Sequence, residues 1–307
     1  MLSLHPLPQK GTIGIMAPSS PIVEEKLDRG VRYLEKLGYR TEVMPSCYAR
    51  EHYLAGSAEK RAAELMELIN RNDIDAIFFG RGGFGSAAML PRLDFDAIRK
   101  ARKLMVGYSD ITALEWGIYA KTGLPSLSTG MPATDFCNEP VHPVFEEAFW
   151  KFIETGRIDY EINAEARSVI PEVRGICFPG TISVALGLAG TPYEPDLTGA
   201  VPVLEDVGES RHKVEGFVWH ARLAGWFDKS NAVVFGDFDP PEKETFPDNP
   251  DLGTVFERAF EDIDTPYVTG IPYGHIDHKV PFPLGVEITL SADKTVKIAS
   301  TQSLFDR

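Results

Sequence analysis

The sequence predicts an α/β protein, with an N-terminal α/β domain built on a parallel sheet and a smaller, β-rich α+β domain following it. Three observations predict this. The first half alternates short apolar runs with amphipathic helical stretches, as strands and crossover helices of a parallel sheet do. Its two glycine-bearing turns, Gly80-Arg81-Gly82-Gly83-Phe84-Gly85 and Gly107-Tyr108-Ser109-Asp110, each follow an apolar run, the place where such sheets carry functional loops. The second half has more numerous short strand-like runs, densely punctuated by proline and glycine.

Taken in order, residues 12–17 read as a buried strand ending in Pro18-Ser19-Ser20. Leu27, Val31, Leu34 and Leu37 recur at helical spacing and predict a helix over 24–37, stopped by Gly38. Residues 41–44 form a second strand, and Ser57 caps a helix through Ile69 whose apolar stripe includes Leu65 and Leu68. Residues 74–79 and 104–106 are the third and fourth strands, and a helix over 145–153 closes a first domain at 1–155. The polar, weakly patterned stretch 154–172 reads as a linker to a second domain at 170–307, with strands at 201–204, 232–235, 286–290 and 296–298.

The 307 residues carry a formal charge of −14, which excludes a nucleic-acid binder needing a basic face for phosphates. A local basic region around Arg71, Arg81 and 92–102 remains compatible with an anionic small substrate. Cys47, Cys137 and Cys177 are too few and scattered for a disulfide framework or zinc knuckle and read as reduced thiols. The N-terminal residues lack the pattern of a secretory signal, and no apolar run approaches the ~20 residues of a membrane helix, so the expected compartment is the cytoplasm.

A serine at a sharp strand-to-helix turn exposes its hydroxyl and aims neighbouring amides into one space, which makes Ser109 a candidate nucleophile. The simpler reading is that Ser109 or Asp110 caps the helix beginning near Ile111. Gly82-Gly83-x-Gly85 is either a tight turn or a nest of amides for an oxyanion; it lacks the lysine and hydroxyl of a phosphate loop. Among seven histidines, His275 stands out because Gly274 frees the backbone before it, although His275-x-Asp277-His278 has a second reading as metal ligands. Glu205 ends the apolar run 201–204, where a carboxylate needs a partner such as a histidine N–H; Asp206 and Glu209 are close rivals.

These pieces together resemble the LD-carboxypeptidase family, serine peptidases that include muramoyltetrapeptide carboxypeptidases and microcin C immunity proteins. The matching stretches, in the family's order, are Arg81-Gly82-Gly83-Phe84-Gly85, Gly107-Tyr108-Ser109-Asp110-Ile111-Thr112, Gly190-Thr191-Pro192-Tyr193, Leu204-Glu205-Asp206-Val207-Gly208-Glu209, Gly274-His275 and Pro283-Leu284-Gly285. The resemblance implies Ser109 as nucleophile, His275 as general base, Glu205 as its orienting acid, and the amides of Gly83 and Asp110 as oxyanion hole. It also implies a cytoplasmic homodimer acting on a small peptide without metal or organic cofactor, with the site in a cleft between the domains. Arg81 is the candidate for the substrate's free carboxylate, with a structural ion pair as its alternative. The chain departs from the family at Thr129-Gly130-Met131-Pro132, where many members have histidine-glycine-proline, and at Pro179-Gly180-Thr181-Ile182, where members often have glycine-glycine-asparagine-leucine.

The leading functional expectation is release of terminal D-alanine from a cytoplasmic murein tetrapeptide. A second is cleavage of peptide- or aminoacyl-nucleotide conjugates, which an aromatic clamp from Trp116, Trp150, Trp219 or Trp226 would favour. A non-catalytic cleft-binding protein is the third, and it gives no reason for Ser109, Glu205 and His275 to occur together.

Overall fold

The computed structural model describes residues 2–239, 248 and 250–306, and they form two sheets flanked by helices. In the first half, β1 (Thr12–Met16), α1 (Glu24–Lys36), β2 (Arg40–Val43), α2 (Ala58–Asn70), β3 (Ala76–Phe79), α3 (Phe95–Ala101), β4 (Leu104–Gly107), α4 (Thr112–Thr122) and β5 (Ser126–Ser128) alternate as expected, and α5 (Pro143–Thr155) follows. β1, β3 and β4 are buried along their whole length, so they lack the polar alternation of a one-sided sheet. Truncating a residue as enclosed as Phe78 to alanine costs about 3–5 kcal/mol. Ser57 does cap α2, accepting from the Lys60 amide at 3.4 Å, and Gly38 leaves α1 with a φ of 95° that suits glycine.

The second half contains β6 (Asp159–Ile162), β7 (Glu165–Ala166), β8 (Ile170–Thr181), α6 (Ile182–Leu186), β9 (Val201–Val207), α7 (Arg211–Leu223), α8 (Trp226–Lys229), β10 (Val233–Asp239), α9 (Leu252–Ala259), β11 (Tyr267–Thr269), β12 (Phe282–Leu284), β13 (Glu287–Ala292) and β14 (Val296–Ser300). The second sheet runs β6-β14-β13-β8-β9-β10-β11-β7, with β8 to β11 mutually parallel and the flanking strands antiparallel. The stretch read as a linker thus contributes β6, β7 and the start of β8 to that sheet. Its alternating exposed and half-buried residues suit strands of a one-sided sheet edge.

The first sheet runs β12-β5-β4-β3-β1-β2, and its β12 edge comes from the far end of the chain, pairing antiparallel with β5. Residues 270–281 therefore cross from β11 in one sheet to β12 in the other. That crossing segment contains His275. Two bonds tie α4 to β8 alongside it: Trp116 Nε1 donates to Pro179 O at 2.8 Å, and the Thr181 amide donates to Thr112 Oγ1 at 3.0 Å.

Candidate active site

Ser109 sits between β4 and α4 with a φ of 66°, a left-handed conformation uncommon for a residue with a Cβ. Crowding explains why the turn is so tight: a Cβ at Gly107 would lie 2.9 Å from Ile111 Cγ1 and 3.0 Å from Phe79 Cδ2. Neither Ser109 nor Asp110 caps the following helix through its side chain, so the simpler reading of this turn is not realised. Asp110 instead accepts from Ser19 Oγ at 2.6 Å and from the Ser86 amide at 2.8 Å, while Ser86 Oγ donates to Asp110 O at 2.5 Å. Loops after β1 and β3 are thereby fastened to the elbow.

The glycine loop packs directly on the serine. A Cβ at Gly82 would stand 2.8 Å from Ser109 Cβ, 2.9 Å from its Oγ and 3.3 Å from the Asp110 nitrogen, so the serine hydroxyl and the Asp110 amide face a space that only glycine leaves open. Gly83 follows with a φ of 123°, which again requires glycine. Arg81 donates to Gly82 O and to Pro21 O, each at 3.2 Å. Among the described residues the structural ion pair offered as its alternative is not found, and the guanidinium has further donors for an anion.

Glu205 lies within β9 and is fully buried. Its Oε2 is 2.7 Å from His275 Nδ1, and its Oε1 accepts from Thr181 Oγ1. β8 and β9 are parallel neighbours with Thr181 opposite Glu205, so the sheet register itself delivers that hydroxyl to the carboxylate. Gly274, at a φ of 135°, lets the histidine approach: a Cβ there would come within 2.9 Å of Glu205 Oε2. His275 Nε2 then reaches Ser109 Oγ at 3.0 Å.

Burial alone lowers the affinity of His275 for a proton, but the hydrogen bond and charge of Glu205 more than offset it, and its pKa ends above the ordinary imidazole value. Its ring also packs against Tyr108, with centroids 4.9 Å apart. Asp206, the rival of Glu205, is occupied by the amides of Ser183 and Val207, both at 2.9 Å. Glu209 pairs with Lys213 at 2.9 Å. His278 is exposed beside His142 rather than beside Ser109, and no group of three metal-ligating side chains occurs among the described residues.

The four tryptophans do not form an evident clamp. Trp116 and Trp226 are buried and bonded to Pro179 O and Glu194, Trp150 stacks on Tyr39, and Trp219 stands partly exposed on α7. Sequence reasoning gave Thr181 and Tyr108 no role as site neighbours, whereas Gly82 was read as part of a turn or amide nest. Thr181 lay within a quoted motif, but only strand register shows that it faces Glu205.

Residues 13–129 match the LD-carboxypeptidase N-terminal domain and residues 174–290 the LD-carboxypeptidase C-terminal domain. A probable murein peptide carboxypeptidase of Bacillus subtilis (strain 168) is 28% identical over 293 residues, covering 94% of this chain and 91% of that protein. The microcin C7 self-immunity protein MccF, solved in complex with glutamyl sulfamoyl guanosine, superposes with a TM-score of 0.90 at 25% identity over the whole of both chains. A muramoyltetrapeptide carboxypeptidase from Oxalobacter formigenes gives a TM-score of 0.88 at 25% identity, covering 95% of this chain and 99% of that one. With both domains matched in order around a serine, a histidine and a glutamate in hydrogen-bond contact, the chain belongs to the LD-carboxypeptidase family of serine carboxypeptidases.

Proposed function

We propose that this carboxypeptidase releases the terminal D-alanine of murein tetrapeptides, with Ser109 as nucleophile, His275 as general base and Glu205 as the acid that orients it. The observation that carries this reading is the continuous contact from Glu205 Oε2 through both nitrogens of His275 to Ser109 Oγ, at 2.7 and 3.0 Å. A carboxylate only accepts, so Glu205 holds the proton on Nδ1 and leaves Nε2 free to take one from the serine. Ser109 Oγ attacks the carbonyl preceding the terminal residue, and its proton passes to His275. The oxyanion is met by the Gly83 and Asp110 amides, a role supported by the glycine-only space facing Ser109. His275 then gives its proton to the departing amine, D-alanine leaves, and water activated by the same imidazole releases the shortened peptide. Arg81, with donors to spare, holds the substrate's free carboxylate. The proposed setting, following the family resemblance, is the cytoplasm and a homodimer.

A second reading, hydrolysis of aminoacyl-nucleotide conjugates, is favoured by the end-to-end superposition on MccF, a protein solved with a glutamyl sulfamoyl nucleoside. The deciding experiment offers wild-type protein a murein tetrapeptide and glutamyl sulfamoyl guanosine separately and quantifies products by mass spectrometry. The tetrapeptide is expected to be turned over with the higher kcat/KM. Cleavage of the nucleoside conjugate with D-alanine retained would overturn the murein assignment in favour of the second reading.

A further inference from the structure

Acyl transfer as described makes no use of one costly feature next to the site. Lys279 and Asp135 form an ion pair with side chains only 3% and 7% exposed. Burying two charges is expensive even when they are paired, and an apolar pair of similar volume often serves stability as well or better. The location of this pair gives it a purpose. The Lys279 ammonium lies 4.9 Å from the centre of the Tyr108 ring, whose other neighbour is the His275 imidazole, 4.9 Å between centroids. Ammonium, phenol ring and imidazole thus follow one another, with the Phe145 ring 5.7 Å from the ammonium. The second carboxylate oxygen of Asp135 is engaged elsewhere, accepting from the Met131 amide at 2.9 Å and from Thr134 Oγ1.

We propose that Lys279 is a positioning residue for His275, its buried ammonium acting through the Tyr108 ring against the field of Glu205 on the imidazole. The titratable and charged groups around His275 are Glu205 and Asp206 on β9, Asp237 on β10, the exposed Asp277 and His278 with Lys279 on its own loop, and Asp135, the ion-pair partner of Lys279. The carboxylates of Glu205 and Asp206 favour the imidazole as its cation, which cannot accept the serine proton. Lys279 pulls the other way. Tyr108, its own ionisation pushed well above the ordinary range by burial, stays a neutral wall that keeps the ring facing Ser109. The cation also favours the return of the proton from His275 to the leaving amine, because it makes the imidazolium a stronger acid.

This inference rests on His275 being the base, so its test reads the imidazole directly and needs no substrate. The His275 ring resonance is assigned by its loss in His275→Gln and titrated by NMR in wild type and in Asp135→Asn/Lys279→Met, which removes both charges without leaving either alone. The titration midpoint is expected to rise by about half to one pH unit in the double variant, a differential interaction of that many pKa units. A folded double variant whose midpoint stays within about 0.2 unit of wild type, well below that expected change, overturns the inference and leaves the pair a structural brace. If the double variant does not fold, Lys279→Arg decides: it keeps the charge, so its midpoint is expected to match wild type, and a rise like that of charge removal overturns the inference. Failure of the wild-type protein to release D-alanine, with the midpoint still rising in the double variant, bears on the function above and not on this role.

Discussion

The Nδ1 atom of His275 lies 2.7 Å from Glu205 Oε2, and this bond decides which imidazole nitrogen faces the serine. It also sets when the base is available. Burial opposes the charged ring, Glu205 favours it, and Glu205 prevails, so the pKa of His275 stands above the ordinary value of about 6.5. A base must be neutral, so kcat/KM is expected to rise with pH through a midpoint above that value. In Glu205→Gln the midpoint is expected to move down, because the attraction that raised it is gone, while kcat falls by about 10⁴, as when the orienting acid of such a triad is replaced by its amide. Steady-state kinetics across pH checks both directions. The linked stability has the matching sign: the pair's contribution is full below the unfolded-state pKa and is lost as pH rises through the higher folded value, which thermal melts at acid and alkaline pH detect.

Thr181→Val keeps the shape of the side chain and removes the hydroxyl bonded to Glu205 Oε1. A fully buried carboxylate oxygen then loses a donor, at a cost of about 1–3 kcal/mol. The kcat is expected to fall about tenfold, the equivalent of 1.4 kcal/mol, with KM little changed, and Thr181→Ser is expected to restore most of it. A Thr181→Ser variant as slow as Thr181→Val contradicts a hydrogen-bonding role.

Gly82→Ala places a methyl group 2.9 Å from Ser109 Oγ, closer than packed atoms allow. The serine or the loop must shift, and a misplacement of about 1 Å at the reacting atoms can cost about 10²-fold in rate. The expected result is at least that loss in kcat with a melting temperature close to that of wild type, measured by kinetics and calorimetry on the same preparation.

Much of the first sheet was legible because its strands are continuous apolar runs and its helices have clean periodicity, as for α1 around Leu27 and Leu34. The elbow at Ser109 was legible because a parallel sheet carries its functional loops where such a run ends. β5 was missed because Ser126-Leu127-Ser128 is short and polar, although all three residues are buried. β12 was missed for a different reason: pairing Phe282 with Ser128 joins residues far apart in sequence, and no local pattern announces that. The helices α7 and α9 lay among residues read as β-rich, where the density of proline and glycine outweighed the helical spacing of Val214, Val218 and Ala221. Glu205 and His275 were found as types in suitable settings, whereas the contact of Thr181 with Glu205 depends on strand register and the Lys279–Tyr108–His275 contacts on a crossing loop meeting the Ser109 turn.

Among the described residues Arg81 donates only to main-chain oxygens, at 3.2 Å each, and so has capacity for a ligand carboxylate. Arg81→Met is expected to raise KM for a tetrapeptide about tenfold, the loss of roughly one charge-assisted hydrogen bond, while kcat changes far less. The comparison substrate is the same peptide with a C-terminal amide, for which the variant and wild type are expected to differ little. Equal losses on both peptides indicate that Arg81 serves the loop geometry instead.

Ser109→Ala with murein tetrapeptide as substrate is the most direct test of the chemistry. It removes the attacking oxygen and leaves His275, Glu205 and the glycine loop in place, and D-alanine release followed by mass spectrometry gives the rate. The expected result is a fall in kcat of at least about 10⁴ with substrate binding retained, as when a serine nucleophile is deleted from a triad. Release within tenfold of wild type, about 1.4 kcal/mol of barrier, would mean that another group attacks the carbonyl and that the Ser109–His275–Glu205 contact is not the catalytic one.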